Sequence, residues 1–120
     1  MNARRVALLL LLLMPSIASA HAVLVKASPA RRAVLATPPS KVELTFNERL
    51  EPAYSTVSVW SSTETRVDDG KMIVAPDDPR RLSVGLPSVP GGTYTVKFRV
   101  LSVDGHLVEG TFPFEVRPRR

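Results

Sequence analysis

The chain has no cysteine among its 120 residues. That excludes disulfides, thiolate metal sites and a lipid attached through sulfur. Stability must come from packing, and any metal site must draw on nitrogen and oxygen donors. Histidine is nearly as scarce, with only His21 and His106 in the whole sequence. Aromatic residues make up 6%, and methionine occurs only at positions 1, 14 and 72. No segment sustains helical periodicity, and after the first twenty residues no apolar run approaches the roughly 20 residues a membrane-spanning helix needs. Neither a repeat nor a linker is visible.

What is present begins with a secretory leader. Arg4 and Arg5 supply a positive start, residues 6–14 are apolar and rich in leucine, and Ala18-Ser19-Ala20 has the small-residue pattern of a signal-peptidase site. The apolar run is about half of a membrane span and Pro15 follows it, so cleavage is expected rather than anchoring. Removing residues 1–20 makes His21 the new amino terminus and lowers the formal charge from +5 to +3. The remaining residues 21–120 fit one domain. Only Arg117, Arg119 and Arg120 cluster in charge. No nucleic-acid motif accompanies them, so they read as a solvated tail. Met72 is the one thioether left after cleavage.

Alternation of apolar and polar residues marks half-buried strands. Val42, Leu44 and Phe46 alternate with Lys41, Glu43 and Thr45. Tyr94, Val96, Phe98 and Val100 alternate with Thr95, Lys97 and Arg99, the longest such pattern, and predict a central strand. Phe112, Phe114 and Val116 form a third, in which Pro113 lacks a ladder donor and predicts an edge or a bulge. Weaker patterns cover residues 22–26, 56–60 and 81–86, and a single helical turn is conceivable over 30–35. Pro38-Pro39, Asp68-Asp69-Gly70, Asp77-Asp78-Pro79 and Pro90-Gly91-Gly92 are turn chemistry, and eleven prolines leave no room for long helices. The expected fold is all-β, a small antiparallel Greek-key barrel or sandwich of the immunoglobulin type.

The two histidines occupy informative places. After cleavage His21 offers a free amine and an imidazole that close a chelate on one metal ion. His106 lies in Ser102-Val103-Asp104-Gly105-His106, directly after the longest strand pattern, where loops on a rigid sheet carry binding groups. If that backbone is extended, Asp104 and His106 point to the same side, with Gly105 allowing a bend. Three nitrogens and one oxygen suit tetragonal Cu(II), while zinc would take the same atoms as a tetrahedron. An Asp-Gly-His run taken by itself is equally a polar turn.

These residues also carry a family resemblance. His21-Ala22-Val23-Leu24 with Pro29-Ala30, the run from Val42 to Glu48, and the run from Tyr94 to His106 followed by Gly110-Thr111-Phe112-Pro113-Phe114 resemble the CopC family of periplasmic copper-binding proteins. The resemblance spans essentially the whole mature chain. It implies a Greek-key β-barrel that binds one Cu(II) ion through His21, Asp104 and His106. The sequence departs from members that have a second, Cu(I) site rich in methionine, because Met72 stands alone. It also departs from members fused to a membrane permease, so any transfer of copper would go to a separate one.

The resemblance implies a soluble, monomeric periplasmic protein that sequesters or carries Cu(II) for copper homeostasis or resistance and is not an enzyme. A second class is a copper-dependent oxidative enzyme of the histidine-brace type. Against it stand the short chain, the few aromatics, and Asp104 filling the position an oxygenase keeps open. A third is an immunoglobulin-like adhesion or assembly module with incidental histidines. Glu48, Glu109 and Ser102 are candidates to hold the imidazoles in one tautomer, and Arg49 and Trp60 read as scaffold.

Overall fold

Residues 23–119 are described by the structure, a computed structural model. The expected leader at residues 1–20, His21, Ala22 and Arg120 lie outside them. Eight strands follow in order: β1 (Leu24–Ser28), β2 (Val34–Leu35), β3 (Lys41–Phe46), β4 (Thr56–Ser61), β5 (Ile73–Ala75), β6 (Asp78–Gly85), β7 (Gly92–Leu101) and β8 (Leu107–Val116). They build two four-stranded sheets, ordered β1-β3-β6-β5 and β2-β8-β7-β4. All pairings are antiparallel except β2 with β8, which is parallel. The all-β sandwich expected from the alternation is present. In place of a helical turn at 30–35, Ala33 N–H closes a turn on the Ala30 carbonyl and the chain passes at once into β2. Among the described residues the one short helical element, a 3-10 turn over Pro52–Tyr54, follows from a proline at its start, where a missing N–H costs nothing.

The periodicity is explained by what faces inward. Val42, Leu44 and Phe46 from β3, Leu82 and Val84 from β6, and Tyr94, Val96, Phe98 and Val100 from β7 meet Phe112, Phe114 and Val116 from β8 in one buried cluster. Full burial of such a side chain contributes about 1.5–3 kcal/mol. Tyr94 stacks on Phe114 at 5.6 Å between ring centres and spends its hydroxyl on the Pro90 carbonyl, and burial pushes its phenol up. Gly110 lies opposite Phe98 across the β7–β8 ladder, where a Cβ would come within 2.4 Å of the ring. The glycine of the Gly-x-Phe-x-Phe run is thus the floor on which Phe98 rests.

Pro113 meets the expectation of an edge rather than a bulge. The β7–β8 register runs unbroken past Thr95 opposite Pro113. The Pro113 carbonyl accepts from Arg32 N–H at 2.7 Å, on the side away from β7. A residue in a strand directs its N and O to the same side, so the absent N–H also faces away from the ladder.

Asp68 holds the connection between β4 and β5. Its carboxylate is fully buried and accepts from Val59 N–H and Gly70 N–H, both at 2.8 Å, and from Arg66 Nε at 2.9 Å. Burial pushes this carboxyl up, but Arg66 and the two amides outweigh it and hold the group below its usual value. Stability from a lowered carboxyl is present above its unfolded pKa, about 3.9, and is lost as pH falls through the folded value. Asp68→Asn should therefore destabilise by about 1–3 kcal/mol near neutral pH, and its thermal midpoint should depend less on acid than that of the parent. Melting curves from pH 7 down to pH 2 check both.

Candidate metal centre

β7 and β8 form one long hairpin whose last pair is Leu101 opposite Leu107, and residues 102–106 make the turn. Gly105 supports it with φ 90°, a value that disfavours any residue with a Cβ. Gly105 N–H donates to the Ser102 carbonyl and Ser102 N–H to the His106 carbonyl, each at 2.9 Å. The loop after β3 stitches this turn to the rest of the molecule. Val103 N–H reaches the Arg49 carbonyl at 2.9 Å, Glu51 N–H reaches the Leu101 carbonyl at 2.8 Å, and Leu50 bridges Ser102.

The turn brings Asp104 and His106 together, with His106 Nδ1 3.1 Å from Asp104 Oδ2. They meet because the backbone bends at Gly105, as that glycine allows, and not through an extended run. Asp104 Oδ1 accepts from the Ser102 hydroxyl, whose oxygen in turn accepts from His106 N–H at 3.2 Å. The Ser102 hydroxyl holds the Asp104 carboxyl below its usual value, helped by the amide and imidazole of His106 against some desolvation. Asp104 is thus ionised across the neutral range. A neutral His106 that donates Nδ1–H to Asp104 carries its lone pair on Nε2, the arrangement in which a carboxylate orients a metal-binding imidazole. Both side chains are partly open, 36% exposed for Asp104 and 43% for His106.

His21 is outside the described residues, but the segment leading from it is anchored. Val23 N–H donates to Asn47 Oδ1 at 2.6 Å, and Asn47 N–H returns to the Val23 carbonyl at 3.1 Å. Asn47 begins the same loop whose Arg49, Leu50 and Glu51 hold the Asp104–His106 turn. One loop therefore grips both the amino-terminal segment and the turn. Among the described residues no group of three or more histidines and carboxylates gathers as a metal cluster, so Asp104 and His106 stand as a pair. Of the three candidates for holding an imidazole, Ser102 reaches Asp104 Oδ1 and the backbone N–H of His106, whereas Glu109 pairs with Arg99 at 2.8 Å. Trp60 packs under Lys97 and donates to Ser58, as scaffold. Met72 packs half-buried against the core. The role of Asn47 was not foreseen, because nothing in a strand-end Asn-Glu pair says which backbone it will meet. A cleft of about 520 Å³ lined by Val89, Pro90, Val116 and Arg117 lies at the other end of the hairpin, about 30 Å away by the rise of a ten-residue strand. It shares no residue with the turn.

The CopC domain model matches residues 24–117, from the first residue of β1 to just past β8. The chain belongs to the CopC family. It is 34% identical over 110 residues to the copper transport protein CutJ of Bacillus subtilis, covering 91% of this chain but only 20% of that protein. Among solved structures, CopC from Methylosinus trichosporium OB3b shares 43% identity at a TM-score of 0.73, covering 83% of this chain and 97% of that one. PcoC, a methionine-rich copper resistance protein from Escherichia coli, shares 28% identity at a TM-score of 0.68, covering 82% and 100%. The CopC-family fold expected from the sequence is the fold present, and the matched region contains Asp104 and His106. No helix among the described residues is long and apolar enough to cross a membrane.

Proposed function

We propose that this CopC-family chain binds one Cu(II) ion outside the cytoplasm, through the amine and imidazole of a processed His21, the imidazole of His106 and the carboxylate of Asp104. The observation that carries the reading is the Asp104–His106 pair on a turn held by the loop that also anchors Val23. His21 is two residues from that anchor, a span of at most about 7 Å for extended chain. A ring nitrogen, an ionised carboxylate and a terminal chelate then come from one end of the sandwich. Asp104 already accepts three hydrogen bonds, two on Oδ1 and one on Oδ2, but a carboxylate has about four lone-pair sites, which leaves one for a metal. The names of CutJ and PcoC support a copper-handling role of transport or resistance.

The signal at residues 1–20 would be removed in export to the periplasm, and the mature protein would act as a monomeric carrier or store rather than a catalyst. A separate membrane permease is the expected recipient of the ion. With Met72 packed against the core, no strong Cu(I) site accompanies the Cu(II) site. Titrating Cu(II) into protein beginning at His21 should give one equivalent bound, with a tetragonal electron paramagnetic resonance spectrum showing nitrogen ligation. Binding no tighter than that of a short peptide beginning with His would overturn the proposal. His106→Ala should weaken Cu(II) binding by well over tenfold, measured by competition with a chelator, because it removes a ligand outright.

Acid should weaken binding. The terminal amine, with an ordinary pKa of about 7.7–8.0, must lose its proton to coordinate. Affinity should fall by about tenfold per pH unit below that value. Competition titrations between pH 8 and pH 5 read this directly, and a flat profile would exclude the amine. Copper-loaded protein given reductant and polysaccharide should release no oxidised oligosaccharide.

A further inference from the structure

Ser102 is 1% exposed, one of two polar residues buried with the core among the described residues, yet it belongs to the turn that carries Asp104 and His106. Its backbone is fixed on both sides, donating to the His106 carbonyl, accepting from Gly105 and bridging Leu50. Its hydroxyl has one proton, and that proton goes to Asp104 Oδ1; the other oxygen of Asp104 faces His106 Nδ1. The same hydroxyl oxygen accepts from His106 N–H. One buried side chain therefore touches both residues, from a position that the sheet itself holds still.

We propose that Ser102 is a positioning residue for the metal centre, fixing the carboxylate plane of Asp104 and, through it, the ring of His106. This rests on the Cu(II) reading above. A carboxylate on a one-methylene stem can rotate about two bonds, and a turn residue a third exposed has little packing to stop it. The Ser102 hydroxyl removes that freedom before the metal arrives. The ordering cost is then met by the fold and not by the binding step, as partners behind a metal ligand generally do. A buried serine at the end of a strand also has a plain structural role in capping the turn. The two roles differ in whether the effect of removing the hydroxyl depends on Asp104.

The test is a double-mutant cycle on mature protein, reading Cu(II) affinity by chelator competition together with electron paramagnetic resonance. Ser102→Ala should weaken binding about tenfold or more, in the range seen for partners behind metal ligands, and should shift the copper hyperfine pattern. In an Asp104→Ala background the same substitution should change affinity by no more than about twofold, the scatter expected of uncoupled sites. Equal losses in both backgrounds, or an unshifted spectrum, would overturn the positioning role. Should Ser102→Ala not fold, the shape-matched pair Ser102→Thr and Ser102→Val gives the same contrast with and without the hydroxyl. If Asp104→Ala and His106→Ala both leave Cu(II) binding unchanged, it is the copper reading that fails. If those two weaken it while Ser102→Ala does nothing, only the role of Ser102 fails.

Discussion

One extra residue ahead of His21 should lower Cu(II) affinity by more than the roughly 10–100-fold that loss of a mere supporting partner costs a metal site. The variant would be made by retaining a methionine before His21 in otherwise mature protein. It leaves every described side chain as it is, since the structure is anchored from Val23 inward. What changes is chemical: the nitrogen of His21 becomes an amide, and the amine is carried one residue away. The imidazole survives, but the chelate ring that joined it to the amine is lost. Chelator competition gives the affinity, and electron paramagnetic resonance should show a change in the nitrogen donor set. Thermal midpoints of the two metal-free proteins should agree. Unchanged affinity would mean that the site is built without the terminus, and would take the proposed ligand set with it.

Phe46→Ala should cost about 3–5 kcal/mol, the range for removing a buried aromatic ring. Phe46 is 1% exposed and sits edge-on to Phe98, with 5.6 Å between ring centres and 68° between planes. Phe98 in turn rests on Gly110, so the vacated space is walled by a ring whose floor is backbone and which has little room to collapse inward. Domains of this size are stable by about 5–15 kcal/mol in total, so the loss consumes a large part of the margin. Urea midpoints should fall sharply, and the melting temperature should drop by more than about 12 °C. The position also bears on the site. Phe46 pairs with Leu24 and directly precedes Asn47, which grips the amino-terminal segment. Loss of the ring should therefore loosen copper binding only where it also loosens the fold, and affinity measured well below the melting temperature should stay within a few-fold of the parent. A small stability change would mean that Phe46 is not the packing centre its burial indicates.

The strands that could be read in advance were those in which one face is buried and the other wet. β3, β7 and β8 have that property over six to ten residues, so alternation marked them clearly. β2 could not be read, because two residues have no period and its pairing with β8 depends on where the chain returns. β6 begins at Asp78, three residues ahead of the apolar pattern, since Asp77-Asp78-Pro79 is turn chemistry that the hairpin with β5 uses at the very start of the strand. In the candidate centre, Asp104 and His106 stood out because chemistry singles them out in any context. Ser102 and Asn47 did not, because serine and asparagine acquire such a role only from the backbone groups that a distant loop presents. The proposed role of His21 rests on processing rather than on folding, and is read only from the residues that precede it.

Pro113 has a consequence beyond the register of its own strand. On the side away from β7, β8 has among the described residues only the two residues of β2 for a neighbour, and Arg32 already occupies the Pro113 carbonyl. A strand from a second molecule seeking to extend the sheet there would find no N–H to accept from and a carbonyl already taken. A chain without cysteine must survive crowding and partial opening without a covalent clasp. A position that refuses to template another copy protects it at the side of the sheet where pairing is thinnest.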